Sequence, residues 1–208
     1  MRTLRIIGLA VALAVLGTAP VSGGNGGKVS LHGGVEWGYS MTGYEWYHYN
    51  YLGMDGQRRN PVYGLHTIGW NAGVSVYGEL CLWDRFALRA AGGYAGIYTE
   101  RMGWTAAARG SYFFKGYKAD TPLVFVEGAK VFLPSLEGQN GRFARVGGGY
   151  RLALAGWLRI DLLLSVQYTE DHPDRYYDRY QQGYVVSPEL RRSDVGYATL
   201  NLGFALNF

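Results

Sequence analysis

The sequence predicts an all-β protein, an eight-stranded antiparallel transmembrane β-barrel with short periplasmic turns and longer extracellular loops. Three observations predict it. Large apolar residues alternate with small or polar ones through eight separate segments, the period of a strand and not of a helix. The last of these runs to Phe208 with Leu200, Leu202, Phe204, Leu206 and Phe208 on one face and Asn201, Gly203, Ala205 and Asn207 on the other. A strictly periodic apolar face of this kind needs an apolar solvent of its own, and a lipid bilayer is one. Finally, the connections between segments sort by length, short at one end and long at the other, with the connection after strand five intermediate and only the short turn near Glu100 breaking the pattern.

The first residues read as a secretory signal. Arg2 and Arg5 form a positive end, Ile6 to Leu16 an uncharged apolar core, and Ala19, Ser22 and Gly23 supply small residues for a cut. The domain division is therefore 1–23 as a cleaved signal peptide and 24–208 as the barrel. The apolar core is too short to cross a bilayer as a helix. The segment 1–23 holds two Arg and no acid, so the remainder carries 18 basic and 16 acidic residues. That near balance removes the basic pI as an argument for nucleic acid. The 32 Gly are many for a strand-rich chain, because Gly weakens strands unless small side chains are needed, as they are in a narrow barrel interior. Cys81 is alone and excludes an intrachain disulfide framework.

Strand one is expected from Lys28 to Ser40, with Val29, Leu31, Val35, Trp37 and Tyr39 outward and Glu36 inward. Strand two, about Leu65 to Leu82, turns Ile68, Trp70, Val74, Val76 and Leu80 outward and Tyr77, Glu79 and Cys81 inward. Strand three, about Phe86 to Thr99, carries Arg89 inward, and strand four, about Arg101 to Lys115, carries Arg109 and Ser111 inward. In strand five, Leu123 to Leu133, Glu127 and Lys130 have opposite parity; Glu127 is assigned inward and Lys130 near an interface. Strand six, Arg142 to Leu154, has Arg145 and Arg151 inward, and strand seven, Leu158 to Tyr168, has Arg159 and Asp161 inward. Strand eight begins near Val195.

An even strand count puts both termini at one end. The connections after strands two, four and six are short, whereas Met41 to Gly64 and Glu170 to Asp194 are long. Short turns with both termini face the periplasm in bacterial outer-membrane barrels. Aromatics cluster at both expected strand ends, with Trp37, Tyr39, Trp70, Tyr98, Trp104 and Tyr168 at one and Phe86, Tyr112, Phe114, Trp157 and Phe208 at the other. Two such belts mark two water–lipid interfaces.

On this pattern, strand count and terminal aromatic, the chain resembles the small eight-stranded outer-membrane barrels of the OmpA/OmpX-like superfamily. The resemblance implies a bacterial outer-membrane location, with outer-membrane lipid and lipopolysaccharide as surroundings. It also implies that Leu202, Phe204, Leu206 and Phe208 form the recognition signal for the barrel-assembly machinery. Some barrels of that size are lipid A-modifying enzymes that use a Ser nucleophile and a His base. Here His66 is the best placed histidine, but no Ser has matching spacing. Neither catalytic residues, a cofactor nor a metal site is expected, since a lone Cys81 and scattered His make no ligand cluster.

The inward polar residues are Glu36, Glu79, Glu127 and Asp161 against Arg89, Arg109, Arg145, Arg151 and Arg159. Both signs line one cavity. An eight-stranded barrel is just wide enough to be filled by side chains, so a packed polar core is expected, with a narrow passage for ions or small solutes as the alternative. The long connections are Tyr-rich. Tyr44, Trp46, Tyr47, Tyr49 and Tyr51 in the first, and Tyr176, Tyr177 and Tyr180 in the last, are interleaved with charge. Such rings supply contact area at low entropy cost, making them candidate binders of an unidentified extracellular ligand. The other reading is that these stretches continue the strands beyond the membrane. The functional expectation is thus a non-enzymatic outer-membrane barrel, structural or displaying its loops.

Overall fold

The computed structural model describes residues 29–53, 55–98, 101–133, 140–173, 175–178, 183–186 and 190–208; the signal segment 1–23 lies outside them. The elements are β1 (Val29–Leu52), β2 (Arg58–Arg59), β3 (Val62–Leu82), β4 (Phe86–Tyr98), β5 (Arg101–Phe113), β6 (Thr121–Phe132), β7 (Asn140–Ala153), β8 (Arg159–Asp171), β9 (Arg175–Asp178), β10 (Gly183–Val186) and β11 (Leu190–Asn207). Nine strands form one antiparallel sheet in the order β11-β8-β7-β6-β5-β4-β3-β1-β2. Pairing of β1 with β11, from Gly34↔Asn207 to Tyr51↔Leu190, closes that sheet into a ring. The two-residue β2 pairs only with the far end of β1, at Tyr51 and Leu52. Closure removes the unpaired edges that an open sheet would offer to other chains.

The period-2 pattern decides what faces where. On β8, Leu162, Leu164, Val166 and Tyr168 are exposed on the outer surface, while Arg159, Asp161, Ser165 and Gln167 are buried inside the ring. The same inversion of the usual rule, apolar out and charged in, holds on β3 and β11: Ile68, Trp70, Leu200 and Leu202 are exposed, and Glu79, Asn201 and Asn207 are buried. On β1, Val29, Leu31, Trp37 and Tyr39 are exposed, and Val35 between them is covered. On β6, Glu127 is buried with Thr121, Leu123, Phe125 and Val131, whereas Lys130 is exposed beside Val126 and Phe132.

Several boundaries differ from the sequence reading. Strand one runs twelve residues past Ser40 to Leu52, strand two begins at Val62, and the last strand begins at Leu190. The cause is a register shift between Thr42 and Tyr44 against both neighbours. Against β11, Gly43 is the extra residue of a β-bulge, and against β3 it faces two residues, Thr67 and Ile68; the strand continues with its faces exchanged. Even-numbered residues face inward up to Thr42; beyond it the inward residues are Glu45, Tyr47, Tyr49 and Tyr51. A single alternation carried through the bulge runs out of phase there, which makes a strand look like a loop. The reading in which this stretch continues the strand therefore holds: Tyr44, Trp46, Tyr47, Tyr49 and Tyr51 are strand residues, and Tyr49 and Tyr51 are buried.

Length also differs around the ring. At about 3.3 Å per residue, the 24 residues of β1 span about 80 Å, against about 43 Å for the 13 residues of β4 or β8. The wall made by β11, β1 and β3 therefore projects beyond the others at the long-loop end. There Tyr49 and Tyr51 of β1 and Val195 and Tyr197 of β11 pack on Val131 and Leu133 at the end of β6. In the ring order, β6 lies across from β1 and β11, so this apolar cluster bridges the interior. A second cluster, Cys81, Ala87, Phe113, Tyr117, Leu123, Phe125 and Leu163, extends from the short-turn side.

Candidate functional site

The charged residues read from the sequence converge inside the ring. Glu36 on β1 takes three guanidinium groups: Arg89 Nη1 at 2.8 Å on Oε2, and Arg109 Nη2 at 2.7 Å and Arg145 Nη2 at 2.9 Å on Oε1. Glu127 accepts from Arg109 Nε at 2.6 Å and lies 2.8 Å from Arg145 Nη2. Glu79 accepts from Arg89 Nε at 2.8 Å and from the Tyr117 hydroxyl at 2.7 Å. Asp161 takes Arg151 in a two-point grip, with Nε at 2.6 Å and Nη2 at 2.7 Å. Four carboxylates thus meet four guanidiniums, and the planar fork of Arg suits such bridging better than a point charge would.

The network is held on its flanks by aromatic rings. The Arg89 guanidinium carbon stands 3.6 Å from the Tyr77 ring centre, that of Arg109 4.5 Å from Phe125, and that of Arg151 4.1 Å from Tyr117. Desolvated cation–π contacts add to each ion pair. Gly34 makes room for one of these rings: a Cβ there would fall 2.3 Å from the Tyr77 hydroxyl and 2.1 Å from the Leu206 carbonyl. The fifth interior arginine, Arg159, is buried beside the short turn. Its Nη2 donates to the Gly156 carbonyl at 3.2 Å, and its guanidinium lies 5.4 Å from the Tyr117 ring.

Sequence reasoning missed Asn207, Tyr77 and Tyr117 as members of the network. Asn207 Oδ1 accepts from Tyr77 at 2.7 Å and from Arg151 at 3.1 Å, and its Nδ2 donates to Asp161 at 3.1 Å. Inward parity was visible for Asn207 and Tyr77, but they meet only across the ring closure. Tyr117 lies in the connection after β5, where no periodicity operates.

Beside the network lies a cavity of about 90 Å³. Ser40, Thr105, Ser165, Gln167 and Asn201 line it, together with Glu127 and Arg145. Two buried donors there, Arg145 Nε and Asn201 Nδ2, have no hydrogen-bond partner among the described residues.

Leu202, Phe204 and Leu206 share the outer face of β11, and Phe208 follows them at the closing seam. Leu202 is exposed, Phe204 packs at a tilt against Trp37 with ring centres 4.4 Å apart, and the Phe208 N–H donates to the Gly33 carbonyl at 2.8 Å. Leu206 pairs with Val35. Of the tyrosines at the far end, Tyr47 donates to Glu45 and stacks on Tyr63, and Tyr44 packs edge-on against His66 at 5.3 Å. Tyr176 and Tyr177 fall in β9, which pairs with β10; Tyr180 lies outside the described residues. A His–Asp pair is present near the rim, His172 Nδ1 at 3.0 Å from Asp194. The neighbouring Ser193 Oγ makes no hydrogen bond among the described residues.

No protein-family model and no curated protein matches the chain. Among solved structures it is similar to outer-membrane expressed OmpT of Vibrio cholerae, at 11% identity over 87% of this chain and 52% of that one, with a TM-score of 0.27. The in-vitro folded trimer form of the same outer-membrane protein gives 13% identity, 88% and 52% coverage and a TM-score of 0.26. The chain thus spans about half the length of these structures. The fold rests on the strand pairing itself.

Proposed function

We propose that the chain is an eight-stave transmembrane β-barrel of the bacterial outer membrane, closed to solute flow. Its role is non-enzymatic: it contributes to the envelope and presents the projecting β11–β1–β3 wall outside. The staves are β1, β3 to β8 and β11, with β2 a fragment of the long hairpin. Staves of 12–14 residues exceed the about 9–11 residues that a tilted strand needs to cross a bilayer. The apolar outer faces of β3, β8 and β11 would otherwise stand in water, and turning the interior Arg residues to lipid instead would cost about 2–4 kcal/mol each at the midplane.

The observation that carries closure is the network of four carboxylates and four guanidiniums around Glu36. Opening a path through it requires separating buried, doubly bonded ion pairs, at several kcal/mol each. The apolar cluster at Tyr49, Tyr51 and Leu133 bridges the interior a second time. Planar-bilayer recording tests this reading: a properly folded barrel should be silent, and discrete conductance steps would replace it with the narrow-passage alternative. Outer-membrane lipid and lipopolysaccharide are the surroundings, and the terminal strand through Phe208 is the segment offered to the assembly machinery.

A further inference from the structure

The ring has one weak seam. β3 and β4 pair from Leu82↔Phe86 only up to Gly73↔Ala95, yet β3 runs on to Val62 and β4 to Tyr98. Among the described residues this is the seam where both strands continue by three residues or more beyond their last pair. The sequence causes the break. The N–H of Ala72, next in line for the ladder, donates to the Asn71 side-chain oxygen at 2.7 Å, the local competition by which Asn ends regular pairing. The Asn71 amide then occupies the space beside Gly96, where an added Cβ would fall 1.5 Å from Asn71 Nδ2.

This seam leads inward to the cavity, whose wall includes Ala72, Gly73, Ala95 and Gly96. In the ring order the β7–β8 pair lies opposite, and it carries Arg145 against Gln167. Arg145 Nε and the amide of Asn201, a residue more than nine-tenths buried, are two donors in that space without a hydrogen-bond partner among the described residues. Outside the seam stand Tyr39, Ile68 and Trp70, each more than 60% exposed. Apolar surface outside and unmatched donors inside, joined by a gap in the ladder, describe the two halves of an amphiphile.

We propose that the β3–β4 seam is a lateral port through which the head of a single-chain carboxylate amphiphile enters the cavity. Its oxygens accept from Arg145 and Asn201 while its alkyl chain lies along Ile68 and Trp70. The four-to-four pairing of the network already satisfies its arginines as ions, so the head supplies acceptors to leftover N–H groups. The inference rests on the barrel reading above.

The test uses the full-length protein in phosphatidylcholine nanodiscs with radiolabelled dodecanoate, and empty nanodiscs as reference. The expected result is a saturable component, one dodecanoate per chain, that dodecanol does not show. Asn201→Leu should weaken it at least tenfold, and Ala72→Trp, which sets a ring over the mouth from the exposed face, should do the same. Heat-modifiable migration on gels verifies folding of each variant. Folded wild type without saturable binding, binding indifferent to both substitutions, or tighter binding of dodecyl phosphate would overturn the proposal. A chain that fails to insert into bilayers would instead overturn the barrel reading, so the two failures are separable.

Discussion

Glu36 is the residue on which most of the interior depends, because among the described residues it alone bridges arginines from β4, β5 and β7. Removing its charge leaves three guanidiniums sharing the remaining carboxylates in a buried site. Loss of one partner from a buried ion pair typically costs about 3–5 kcal/mol, so Glu36→Gln should lower stability by that order. Urea titration of the protein folded in lipid vesicles reads the change as a shifted midpoint. Arg142 is the contrasting case. It also meets a carboxylate, Glu170 at 2.6 Å, but its side chain is 73% exposed, and exposed pairs contribute about 0–1 kcal/mol. Arg142→Gln should therefore leave the midpoint nearly in place, and an equal loss at both sites would contradict the distinction. The nine interior charges themselves were legible from parity alone. Which carboxylate meets which guanidinium was not, since Glu36 and Arg145 are brought together by ring order and strand tilt, which no local pattern encodes.

At the scale of the element, β8 and β1 show where pattern reading succeeds and where it stops. β8 keeps one phase from Arg159 to Asp171, and its faces follow directly from the sequence. β1 changes phase at Gly43, and a reading that assumes one phase loses the strand there. The bulge is what turns Tyr49 and Tyr51 into the interior cluster. Deleting Gly43 removes the extra residue and leaves Glu45, Tyr47, Tyr49 and Tyr51 in phase with Thr42, so both rings should stay inside. The expected outcome is a folded, heat-modifiable barrel whose projecting segment resists protease added to whole cells as the parent does; cleavage in the variant alone would show that the bulge itself is needed to seat the rings. The other end of the sheet makes a different prediction. Phe208 bonds to Gly33 at the closing seam, so its deletion removes two backbone hydrogen bonds as well as the terminal aromatic. Cells carrying that deletion should accumulate less heat-modifiable barrel in the outer membrane. Normal levels would argue against a terminal assembly signal.

For the whole molecule, the question is whether a ring with a 90 Å³ cavity passes solute. That volume accommodates several waters, given that one water occupies roughly 10–15 Å³ on this measure, but it is bounded on one side by the ion network and bridged toward the other by the tyrosine cluster. The two barriers act in series, so weakening one leaves the other. Tyr51→Ala removes a fully buried ring that packs among Tyr49, Val131 and Leu133. It should lower the urea midpoint through the void it creates and still yield a silent barrel, because the pairs around Glu36 remain. Combining Tyr51→Ala with Glu36→Ala breaches both barriers, and conductance should appear only in the double variant, provided that gel mobility shows it folded. Conductance in the Tyr51 variant alone would mean that the ion network is permeable and that the aromatic cluster is the gate. Silence in a folded double variant would place the barrier in the second apolar cluster around Phe113 and Tyr117, at the short-turn side.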